Sequence, residues 1–162
     1  MNVAKPFTAS LWQTCDQIYA QQQPLFINLQ DEYGVNVNLL LLALWLDQQD
    51  YVLSRQQWQQ LFVEIDHHDQ RVLQPYRRLR KLSKHHLEGE EYQKMLEVEL
   101  MLERKTQSLL LRKLNQLTAN QNDASIQPVS PAESSTNLQG YLLLFGLDSS
   151  DYPQLSSLAA HT

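Results

Sequence analysis

The sequence is short of the residues that cross-link, punctuate or flatten a chain. Cys15 is the single cysteine, so neither an intrachain disulfide nor a multi-cysteine zinc site can form, which fits a reducing compartment. There are only four glycines, and Val, Ile and Thr are sparse beside Leu and Gln, a balance that favours helices over strands. Long hydrophobic runs are missing as well. The longest, Val37 to Leu46, is interrupted by Asn38 and reaches about half of the ~20 residues needed to cross a bilayer. Met1 to Ser10 lacks the apolar stretch of a secretory signal, so a cytoplasmic protein with no membrane contact is expected. With 19% charged residues and a net charge of −5, the chain as a whole has no generic attraction to nucleic acid or anionic lipid. No cofactor-binding or catalytic signature is present.

What is there is helical periodicity. Leu11, Trp12, Cys15, Ile18 and Tyr19 share one face of a first helix, with Ser10 or Thr8 available as its cap. A second helix starts at Pro24, turns Leu25, Phe26 and Leu29 inward and stops at Gly34. Asn36 is placed to cap a third, from Val37 to about Asp47. That helix is apolar around nearly its whole circumference, which predicts burial on several sides and a central position.

Ser54 and Gln57 form a capping-box pattern ahead of Trp58, Leu61, Phe62 and Ile65. From His67 to His86, Val72, Tyr76, Leu79 and Leu82 keep helical spacing, and Pro75 predicts either a kink or a restart. Glu88 to Leu117 reads as one long helix, with Glu99, Glu103, Lys105 and Lys113 on its outer side, acidic early and basic late. Thr118 to Ser135 has linker composition. Leu138, Tyr141, Leu142 and Phe145 then mark a short helix ended by Gly146, and Asp148 to Thr162 reads as a mostly disordered tail. The expected fold is an all-α bundle of six or seven helices: a core domain over residues 1–117, a linker over 118–135, a C-terminal helix over 136–147 docked on the core, and a tail over 148–162.

Gln70 to Leu87 holds Arg71, Arg77, Arg78, Arg80, Lys81 and Lys84 and no acidic residue. The rest of the chain carries −11, because its remaining seven basic residues face all eighteen acidic ones, so the molecule is electrically polarised. With Tyr76, Leu79 and Leu82 inward, Arg77, Arg80, Lys81 and Lys84 make one ridge, and together with Arg71 and Arg78 they are the candidate partner-binding face. A protein partner or self-association is favoured over nucleic acid, since the cluster is short and no binding motif surrounds it. The plain alternative is a solvated face paired with the acids of the next helix.

Asp66, His67, His68 and Asp69, with His85 and His86, are of metal-binding type. Adjacent histidines diverge by about 100° on a helix, however, and the one-turn spacing of a zinc motif is absent, so they read as a hydrated junction. Cys15 lies on an apolar face and reads as core. Asn36 and Asn38 read as loop-fixing amides. With Cys15 and the histidines, they are also the residues that an orphan enzyme or small-ligand protein with an inter-helical pocket would use.

Several stretches resemble a known family: Leu11-Trp12 with Tyr19, Leu29-Gln30, the run Gly34-Val35-Asn36-Val37-Asn38-Leu39-Leu40-Leu41, and Trp45-Leu46. The Pro75 to Lys84 run and Asn137-Leu138 before Tyr141-Leu142 are similar to it too. The family is a group of small helical proteobacterial proteins of unknown function, and the resemblance spans roughly residues 10 to 146. It implies a bacterial, cytoplasmic, all-helical protein, and it assigns no residue a role.

Overall fold

The computed structural model describes residues 7–119 and 136–159, and these form a bundle built almost wholly of helices. In chain order they are α1 Leu11–Gln21, α2 Gln23–Tyr33, α3 Val37–Gln48, α4 Arg55–His68, a π-helical turn Asp69–Leu73, α5 Gln74–Ser83, α6 Gly89–Ala119, α7 Asn137–Leu143, a short 3-10 turn Ser149–Asp151, and α8 Pro153–Ala159. Because α4, the π-turn and α5 run on without a break in helical backbone, the chain makes seven helical rods among the described residues.

Three boundaries act where the sequence puts them, whereas at the start of α1 Ser10 makes no side-chain cap and its hydroxyl pairs with that of Thr8 at 2.7 Å. Gly34 ends α2 at φ 71°, a left-handed conformation that a side chain would disfavour. Two residues on, the Asn36 side chain accepts the Leu39 N–H and starts α3. Ser54 and Gln57 close their reciprocal capping box at the start of α4.

Apolar on every side, α3 is the axis of the core. Leu39 to Leu44 and Leu46 are buried, and α1, α2, α7 and α8 pack around them. The long α6 has 31 residues and a length of about 46 Å. Its second half enters the core through Leu110 and Leu114, and its first half runs beside α5.

The C-terminal region adds α7 and α8 to the bundle, and α8 falls where a tail was expected. Leu138, Tyr141, Leu142 and Leu155 belong to the same buried cluster as Leu11 and Trp58, so the core does not end at residue 117. Thr118 and Ala119 extend α6, and residues 120–135 of the expected linker lie outside the described residues. The expected disorder of 148–162 is corrected over its described part. Pro153 opens α8, Leu155 is fully buried, and Gln48 Nε2 donates to the Leu158 carbonyl at 2.7 Å. Leu155 and Leu158, three residues apart after a proline, are the sequence signal for that helix.

Asp47 and Asn137 fix α7 in place. The Asp47 carboxylate, at the end of α3, accepts the backbone N–H groups of Asn137 at 2.8 Å and Leu138 at 3.1 Å, capping the N-terminus of α7 from another helix. Asn137, buried itself, accepts from the Leu53 N–H and the Trp58 indole and donates to the Tyr51 carbonyl.

Candidate functional site

The site residues depend on a change of register. The inward positions of α4 are Trp58, Leu61 and Ile65, and an unbroken α-helix would continue them through Val72, Tyr76 and Leu79. The π-turn inserts one residue. The Gln74 N–H reaches back five residues to the Asp69 carbonyl, and everything beyond is rotated by about 100°. Pro75 explains the location, because it offers no N–H to the turn before it and its ring needs room there. Helical backbone therefore runs on through the π-turn, and α5 begins at Gln74 with Pro75 in its first turn.

Rotation exchanges the two faces of α5. Leu73 is buried, Val72 is exposed, and Leu79 and Leu82 stand 54% and 73% exposed, against the expectation that they point to the core. Arg77 and Arg80 turn inward instead. Arg77 Nε lies 3.4 Å from Glu99 Oε1, and its Nη2 donates to Glu103 Oε1 at 2.9 Å. Arg80 Nε lies 2.9 Å from Glu99 Oε2, and its Nη1 donates to the Tyr92 hydroxyl at 3.1 Å. Glu99 is buried and Glu103 half-buried, so the acids assigned to the outer side of α6 form the α5–α6 seam. Burial opposes the Arg80 charge, but Tyr92 and Glu99 outweigh it and hold its pKa above the usual arginine range.

The six basic candidates thus divide. Arg77 and Arg80 are held in a four-charge network with Glu99 and Glu103. Arg71, Arg78, Lys81 and Lys84 are exposed and have no acidic partner within 4 Å among the described residues. With Leu79 and Leu82 they give the outer side of α5 a mixed apolar and basic character that the sequence periodicity had reversed.

The second feature is a cleft of about 350 Å³ between the α2–α3 loop and the helix running through the π-turn. One wall is Gly34 to Leu39. The other includes Asp66, Asp69, Gln70, Leu73 and Gln74 and ends at Arg77 and Arg78. Several of these side chains are held by neighbours. Asn38 Oδ1 accepts from Gln107 of α6 at 3.3 Å, and Asp69 Oδ2 accepts from Gln74 at 3.1 Å. Behind the loop, the Asn36 N–H donates to the Tyr141 hydroxyl at 2.9 Å, and that hydroxyl donates to the Asn36 carbonyl. Burial pushes the Tyr141 phenol far up, so it remains a neutral donor and acceptor.

The remaining candidates separate from each other. Among the described residues no three His, Cys, Asp or Glu side chains gather as a metal site. Asp66 and Asp69 line the cleft, His67 is exposed, and His85 and His86 lie past the end of α5. Cys15 is fully buried, and burial followed by the nearby Asp16 charge pushes its thiol up to about 12. No helix among the described residues is long and apolar enough to cross a membrane.

Fold and site define a small all-helical protein with a polar cleft and a leucine-studded basic face. The chain belongs to the family described as "Protein of unknown function (DUF2390)", matched over residues 10–110. Both features lie within that stretch, whereas α7 and α8 lie beyond it. No curated protein and no solved structure matches the chain.

Proposed function

We propose that this protein is a non-enzymatic interaction module that docks an acidic amphipathic segment of a partner protein on the outer face of α5. The observation that carries this reading is Leu79 and Leu82 exposed at 54% and 73% among Arg78, Lys81 and Lys84. Apolar side chains turned to water beside unpaired cations match a helix whose leucines are flanked by glutamates. Two features disfavour phosphate backbones as the target. The ridge has given Arg77 and Arg80 to internal pairs, and leucines occupy ground that phosphates would need.

Covering the exposed parts of both leucines is worth about 3 kcal/mol, roughly a hundredfold in affinity. The test is fluorescence anisotropy with a synthetic amphipathic peptide carrying leucines at helical spacing flanked by glutamates, run alongside a lysine-flanked control. Leu79→Ser with Leu82→Ser should weaken the glutamate peptide about a hundredfold, and Lys81→Glu with Lys84→Glu should reverse the preference. Equal binding of both peptides, or variants that bind like the native chain, would refute the reading. Recovery from host extract of a ligand that nuclease releases would point to nucleic acid instead, and a concentration-dependent dimer lost in the leucine variant would point to self-association.

A further inference from the structure

The cleft beside the π-turn has a different chemistry from the face of α5. Its charges are sorted along one helix, with Asp66 and Asp69 toward α4 and Arg78 at the far end. Arg77 contributes little free charge, since it and Arg80 are balanced by Glu99 and Glu103. Two acids and one arginine then remain, at opposite ends. From Asp69 to Arg78 the helix advances about 13 Å, and both side chains can reach back over the space between.

Between those ends the lining mixes apolar side chains with the amides of Asn36, Asn38 and Gln70. Asn36 and Asn38 already use their carbonyl oxygens on the Leu39 N–H and on Gln107, which leaves their N–H groups as donors, while Gln70 offers both a donor and an acceptor, as a peptide bond does.

We infer that the cleft binds a short zwitterionic peptide, its ammonium end at Asp66 and Asp69, its carboxylate at Arg78, and its peptide groups on Asn36, Asn38 and Gln70. An extended chain advances about 3.3 to 3.6 Å per residue, so about two to three residues bridge the charged ends and a single amino acid does not. A volume of about 350 Å³ accommodates a ligand of that size. This inference shares only Arg78 with the proposed docking face, because Leu79, Leu82, Lys81 and Lys84 do not line the cleft.

The experiment is an NMR titration of the full chain, following the amides of residues 34–38 and 69–74. The probes are trialanine, its N-acetylated form, its C-terminal amide, and free alanine. Trialanine should shift both segments, and removing either terminal charge should weaken binding about tenfold or more. Asp66→Asn with Asp69→Asn should abolish the difference between free and acetylated peptide, and Arg78→Gln the difference between acid and amide. The two aspartate substitutions are near-isosteric, Arg78→Gln shortens an exposed side chain, and a thermal melt checks that each variant is folded. Three results overturn the inference: no shift in either segment with trialanine, capped peptides that bind as tightly as the free one, or free alanine binding as well as trialanine.

Discussion

Replacing Asn137 with alanine tests how α7 is held. The Asn137 carboxamide oxygen accepts the Leu53 N–H at 2.7 Å and the Trp58 indole N–H at 3.3 Å, in a site where Asn137 is 1% exposed. Alanine removes the acceptor and leaves both donors in a buried space. Each orphaned donor costs about 1 to 3 kcal/mol, with the longer indole contact at the low end, so the loss is about 3 kcal/mol. A domain stable by about 5 to 15 kcal/mol loses a large fraction of that margin. For a chain of this length the melting temperature falls by roughly 6 to 12 °C. Urea unfolding monitored by tryptophan fluorescence measures the change at constant slope. Asn137→Asp is the companion variant: it keeps an acceptor for Leu53 but places a second carboxylate beside Asp47, and it too should destabilise. If Asn137→Ala unfolds within about 0.5 kcal/mol of the native chain, the typical range of a neutral surface substitution, these hydrogen bonds do not anchor α7.

Two further outcomes follow from titrating groups. Cys15, fully buried with its thiol pushed up to about 12, should resist a thiol reagent in the native protein and react on unfolding; rapid labelling of folded protein would contradict its place in the core. Asp47 is raised above its ordinary 3.8, because burial outweighs the hydrogen bonds it receives from Asn137 and Leu138. An acid that holds its proton more tightly when folded favours the native state below the unfolded pKa. That contribution fades as pH rises from 3.8 through the raised folded value. A carboxyl-carbon NMR titration should give a midpoint above 3.8, and one at or below it would mean that the two amides win over desolvation.

Much of the bundle is written locally in the sequence. The all-round apolarity of Val37 to Leu46 announces the central helix, and Gly34, Asn36 and the Ser54–Gln57 pair mark boundaries through backbone chemistry that needs no tertiary context. Residues 66–84 were legible as a helix but not as a site. Fixed-period spacing carries the inward face of α4 onto Tyr76, Leu79 and Leu82; with one residue inserted the inward face is Leu73, Tyr76, Arg77 and Arg80, so Tyr76 stays against α6 with its hydroxyl donating to the Met95 carbonyl, while Leu79 and Leu82 turn outward. Pro75 is the signal in the sequence, and the π-turn ahead of it is what sets the offset. The cleft was invisible for a related reason. Asn36 and Asn38 stood out in sequence, but the aspartates opposite them belong to another helix, and only packing brings the two segments together.

The five residues from Asp69 to Leu73 act as a phase shifter within an otherwise continuous rod. Upstream of them, the hydrophobic signal and the core agree; downstream they are out of step by one position. Such an offset lets a helix contribute to the interior and still carry its leucines on the surface, without a longer chain or an extra element. It also makes helix length in this turn, more than the identity of any one side chain, the variable that decides which face of α5 meets solvent. Deleting a single residue there would bring the two halves back into phase, carrying the leucines inward and casting the paired arginines loose.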